Sequence, residues 1–225
     1  MSITTYNKFE NQTHLSKSQL WLLATSAIFT ELNKEFHDTL LPHHIYSSQE
    51  LLKESKESLL RNWGISNSAD FHDRLNFLHS QQNFAEVQCN MEFFSEYDFD
   101  QTQQFGNDRL DLRNSLDMIR NYQYDLKSSD SGLQYGLCSW MIRHAFYNGF
   151  ITEEETWNLL EENGKLIKKA FDSWESFGLS FLVGFQYSKR KEYNEVSMQT
   201  AKNNISYLLT NKNSPWLNID WNDYE

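Results

Sequence analysis

The sequence predicts an all-α fold, a single multi-helix bundle of about seven to eight helices with one irregular acidic-aromatic segment, and three observations predict it. Only two prolines, Pro42 and Pro215, and eight glycines occur in 225 residues, so long stretches carry no strong breaker. Apolar residues between those breakers recur at three- and four-residue spacing, the period of one helix face. The 39 % apolar content, with seven Trp, eleven Tyr and sixteen Phe, provides a core that an acidic disordered chain lacks.

The first helix is expected over about Ser16 to Phe36, where Leu20, Leu23, Ala24, Ala27, Ile28 and Leu32 line one face, and it stops before Pro42. The second runs from about Ser48 to Trp63: Ser47 and Glu50 have capping-box spacing, Gly64 closes it, and Leu51, Leu52, Ser55, Leu59 and Leu60 form its stripe. The third covers about Ser68 to Gln82, with Phe71, Leu75 and Leu78 inward and Asn67 and Asp70 placed to cap its free amides. From Phe84 to Gln101 the period fails, and the segment reads as irregular.

A fourth helix spans about Gln103 to Leu126 on Phe105, Leu112, Leu116 and Ile119, with Arg113 and Asp117 four apart. Leu133 to Asn148 makes a fifth, ended by Gly149, with Leu137, Trp140, Met141, His144 and Ala145 inward. Thr152 and Glu155 cap a sixth, whose acidic first turn suits the positive end of the helix dipole. Trp174 to Gln186 and Glu192 to Thr210 continue the pattern, the latter presenting Val196, Ala201, Ile205, Leu208 and Leu209. Pro215, Trp216, Trp221 and Tyr224 in the tail are expected to dock back on the bundle, since each large apolar side chain buried contributes roughly 1.5 to 3 kcal/mol. No linker or repeat divides the chain, so residues 1–225 read as one helical domain.

Acidic residues outnumber basic ones 31 to 20, a formal charge of -11, which opposes direct binding to nucleic acid or anionic lipid and favours a basic partner. The longest nearly apolar stretch, Leu20 to Phe29, falls short of the roughly twenty residues a membrane span needs, and it lacks the layout of an export signal. Two cysteines without metal-like spacing, Cys89 and Cys138, fit a reducing cytoplasm.

Trp63-Gly64-Ile65, then Trp140, Arg143, Gly149-Phe150-Ile151, Glu153-Glu154-Glu155, Trp157, Phe171, Ser173-Trp174 and Gly184 resemble the pattern of a bacterial family, domain of unknown function 1266. The block of about residues 133–190 carries most of the match. The chain departs from the pattern after Gly184, where Phe185-Gln186-Tyr187 replaces an aromatic-rich stretch ending in Phe-Trp. The resemblance implies a helical cytoplasmic domain and carries over no catalytic residues. Members of such families sometimes act as immunity proteins beside secreted toxins.

No sequence signature assigns a catalytic residue, metal site or cofactor. His43 and His44 are adjacent in a Pro-containing loop, while His72 and His79 lie seven apart without an HExxH pattern. Asp108, Asp111, Asp117 and Asp125 would hold a divalent ion only if several turned inward. Cys138 is read as structural, as is Cys89; GxSxG, Walker-type and GxGxxG motifs are lacking. Lys189-Arg190-Lys191 reads as a helix end.

The strongest signal is distributional. Residues 86–130 hold ten acidic and four basic side chains, and Phe93, Phe94, Tyr97, Phe99, Tyr122 and Tyr124 lie among them. Solvated acids around buried rings are the plainer account. Acids and rings sharing a surface would steer a basic protein and then anchor it. The expected function is accordingly a cytoplasmic, non-enzymatic interaction protein, an immunity protein neutralising a basic toxin such as a nuclease, with Glu92, Phe94, Glu96, Tyr97, Asp98 and Asp100 binding the partner. Two alternatives are an enzyme with a pocket around Arg143 and His144, the guanidinium holding a small anion, and a structural oligomer subunit.

Overall fold

The computed structural model describes residue 9 and residues 14–43, 49–80, 132–189 and 194–224. Among these the chain is an all-α helical bundle with no strand. Its elements are α1 (Lys17–Ala24), α2 (Ala27–Asn33), α3 (Gln49–Trp63), α4 (Ser68–His79), α5 (Gly132–Tyr147), α6 (Glu153–Ala170), α7 (Trp174–Ser188), α8 (Glu195–Thr210), α9 (Pro215–Asn218) and a closing 3-10 turn (Trp221–Asp223). The expected irregular segment from Phe84 to Gln101 and the expected helix from Gln103 to Leu126 lie outside the described residues.

Local chemistry sets the ends. The Ser16 hydroxyl accepts from the Gln19 amide while the Gln19 side chain accepts from the Ser16 amide, a complete capping box. Asn67 and Thr152 cap α4 and α6 through the amides of Asp70 and Glu155. Gly149 sits at φ 75, where an L side chain is strained, and turns the chain so that the Phe150 amide reaches the Ala145 carbonyl.

The expected first helix is two. The Thr25 and Ser26 hydroxyls bond back to the carbonyls of Leu22 and Leu23, which interrupts the ladder between α1 and α2. Lys34, left-handed at φ 60, then ends α2 well before Phe36. Two apolar stripes also narrow. On α3 only Leu59 is buried, with Leu60 54 % exposed, and Val196 on α8 is 75 % exposed.

The core gathers around α5, which packs on α2, α4, α6 and α7. Its small residues permit close approach: a Cβ on Gly132 would lie 2.6 Å from the Phe177 carbonyl oxygen and 2.7 Å from the Phe181 nitrogen, both backbone atoms. At the other side the tail returns as expected. Trp21 stacks on Tyr224 with ring centroids 4.6 Å apart and meets Trp174 and Trp221 at 5.3 Å each, while Trp174 stacks on Trp216. The indole N–H groups of Trp174 and Trp216 donate to the carbonyls of Ile219 and Ala24, so these large rings bury with their polar tips satisfied.

Two expectations follow. Gly132→Ala forces α5 away from α7 and should lower the unfolding free energy by about 1 to 3 kcal/mol in denaturant titration. Trp216→Ala removes both the stacking partner of Trp174 and the tether to Ala24, with an expected loss of about 3 to 5 kcal/mol by the same measurement.

Candidate functional site

The polar centre of the bundle is assembled from α2, the segment after it, α3 and α5. Arg143, on the inward face of α5, is 1 % exposed. Its five N–H donors all point at protein acceptors. Nη1 donates to Ser26 Oγ (3.0 Å) and Thr30 Oγ1 (2.8 Å), Nη2 to the carbonyls of Phe36 (2.6 Å) and Thr39 (3.0 Å), and Nε to the Leu40 carbonyl (3.4 Å). The segment after α2 is irregular yet buried because its carbonyls find this cation. Glu35 and Asp38, both buried, supply the negative charge acting on it.

Glu35 is also the hinge of a second set of contacts. Its Oε1 lies 2.9 Å from His144 Nε2, and the Trp140 indole N–H donates to both carboxylate oxygens at 3.1 Å. Trp140 covers the His144 ring with centroids 4.0 Å apart. Burial alone would raise the Glu35 pKa. The His144 hydrogen bond, the His144 and Arg143 charges and the Trp140 hydrogen bond together outweigh it, and the net direction is downward.

The other nitrogen of His144, Nδ1, is 3.3 Å from Ser55 Oγ on α3, and Asn148 Nδ2 donates to that hydroxyl at 2.9 Å. Half-buried His43 packs edge-on to His144 and Tyr147; desolvation, the largest influence, pushes its pKa down, against an opposing pull from Glu35. Beside Glu35, His37 Nε2 and Glu31 Oε1 form a buried pair at 2.6 Å. A separate chain links the α1–α2 break to α5, α6 and α4: Thr25 Oγ1 to Ser139 Oγ at 2.6 Å, Asn163 Nδ2 to Ser139 Oγ at 2.8 Å, and His79 Nε2 to Asn163 Oδ1 at 3.0 Å.

Several expectations meet this geometry directly. Arg143 and His144 are together, as expected for a pocket, but the guanidinium is consumed by protein acceptors and has no N–H left for an anion. His79 contacts Asn163, and His72 pairs with Glu155 at 3.0 Å. Cys138 is fully buried, and burial pushes its thiol far from the reactive thiolate. Among the described residues no three His, Cys, Asp or Glu side chains gather as a metal site. His44, Cys89, the aspartates at 108, 111, 117 and 125, and the expected partner-binding residues Glu92, Phe94, Glu96, Tyr97, Asp98 and Asp100 lie outside the described residues.

Fold and centre define a class: an all-α bundle organised around one buried, internally solvated arginine. The chain belongs to the family described as a protein of unknown function, DUF1266, whose model matches residues 58–221. That range is wider than the block that carried the resemblance in the sequence. No curated protein and no solved structure matches the chain.

Because Glu35 has a depressed folded pKa, its contribution is present above its ordinary value of 4.5 and is lost as pH falls through the folded value. The thermal midpoint should therefore drop below about pH 4.5, and Glu35→Gln should flatten that acid limb while lowering the midpoint at neutral pH. Arg143→Lys, with three donors for five acceptors, should cost roughly 3 kcal/mol in denaturant titration.

Proposed function

We propose that this protein is a cytoplasmic interaction protein, an immunity-type inhibitor that covers a basic toxin domain such as a nuclease. The observation that carries the reading is the concentration of charge: the formal charge is -11, and residues 86–130 hold ten acidic and four basic side chains interleaved with seven aromatic rings. In the sequence that stretch lies between α4 and α5. Glu92, Glu96, Asp98 and Asp100 supply the attraction in this reading, and Phe94 and Tyr97 the contact area once the partner has docked.

No helix among the described residues is long and apolar enough to cross a membrane. Stopped-flow association with a basic toxin domain encoded beside this gene tests the proposal. Reversal of Glu96 and Asp98 to Lys should slow association at low salt about tenfold and flatten its salt dependence. An unchanged rate and salt slope would overturn the steering mechanism.

A further inference from the structure

We propose that Ser55 is a nucleophilic hydroxyl, with His144 as its general base and Glu35 as the carboxylate that orients the base, and that this site transfers small acyl groups to water. The inference stands apart from the partner-binding surface and rests only on α2, α3 and α5 and the segment after α2.

General-base catalysis needs the neutral ring, and Glu35 selects its tautomer: the buried carboxylate accepts the proton carried on His144 Nε2 at 2.9 Å. That tautomer leaves the Nδ1 lone pair facing Ser55 Oγ at 3.3 Å. Asn148 Nδ2 donates to the same Oγ at 2.9 Å and occupies one of its lone pairs, which leaves the hydroxyl hydrogen free to turn toward Nδ1. Nucleophile, base and orienting acid thus stand in the order that hydroxyl catalysis requires, with the third group fixing the ring.

Two placements favour chemistry over a purely structural clamp. Ser55 is half-buried and lies at the outer end of the network, whereas His144 and Glu35 are buried behind it. Asn148 is buried, and its Oδ1 has no partner among the described residues. A purely structural clamp would pair this acceptor, which belongs to the same amide that holds the hydroxyl.

In the forward step the Oγ–acyl carbon bond forms, the hydroxyl proton passes to His144 Nδ1, and the bond to the leaving group breaks as that group takes the proton. Water then attacks the acyl-serine ester, giving its proton to Nδ1, and the carboxylic acid departs as Ser55 Oγ is reprotonated. No oxidant or metal enters.

The full chain is treated with a fluorophosphonate, whose phosphorus bonds to an activated serine oxygen with loss of fluoride, and is separately given p-nitrophenyl acetate. Peptide mass spectrometry should place one phosphonyl adduct on Ser55, absent after denaturation in guanidinium. Ser55→Ala, a helix-compatible change at a half-buried site, should remain folded by circular dichroism at the assay temperature, lose the adduct, and release p-nitrophenol at least tenfold more slowly. Glu35→Gln, assayed where its melt shows it folded, should slow labelling at least tenfold. No adduct on Ser55, or equal ester hydrolysis by wild type and Ser55→Ala, overturns the proposal, as does unslowed labelling of folded Glu35→Gln.

Discussion

A guanidinium taken wholly out of water must find five acceptors and a counter-charge within the protein, or the fold loses several kcal/mol. Arg143 finds all of them in one short stretch of chain, from Ser26 to Leu40. Much of the architecture follows from that demand. Thr25 and Ser26 break the first helix, which frees Ser26 and Thr30 to face the cation. Lys34 turns left-handed, and the carbonyls of Phe36, Thr39 and Leu40 then wrap the guanidinium. An irregular segment with this much buried backbone would be untenable around an apolar residue, since its carbonyls would lose water and gain nothing.

The same demand explains why acidic groups cluster beside the arginine. Glu35 offsets the cation at its edge, yet it also accepts from His144 and Trp140, so one carboxylate ties two turns of α5 to the segment after α2. A desolvated carboxylate with donors on each side resists movement, because a displacement leaves several polar atoms unpaired at about 1 to 3 kcal/mol each. Fixed positions of this kind are what a base and its hydroxyl need, and Ser55 meets that fixed geometry from α3.

Helix ends and faces were largely legible in the sequence, because caps and periodicity are local. Asn67, Thr152, Gly64 and Gly149 each act where their chemistry suggests, and the docking tail follows from the cost of leaving Trp216 and Trp221 in water. The polar centre was not legible beyond Arg143 and His144. Glu31 and Glu35 have the spacing of a solvated helix edge, and nothing local distinguishes a carboxylate turned toward an arginine more than a hundred residues away. Backbone carbonyls leave no mark in a sequence at all. A signal did exist: Ser26 and Thr30, four apart, interrupt an otherwise apolar face, and Ser55 interrupts the stripe of Leu52 and Leu59. Polar residues at inward positions ask for a buried partner, and here the partners are Arg143 and His144.

The boundaries of the family match and of the packing differ in a way that the buried charge makes meaningful. The matched range, residues 58–221, contains Arg143, His144, Trp174 and Trp216. Every acceptor for Arg143, the carboxylate for His144, and Trp21 of the aromatic stack come from residues 21–40, before that range begins. Ser55 and Tyr224 likewise lie just beyond its two ends. A matched segment cut from these partners would hold a bare guanidinium and an uncovered face of three tryptophans. The helices before the matched range are therefore part of the same core as the helices within it, and Arg143, inside that range, is stable only because the earlier chain folds over it.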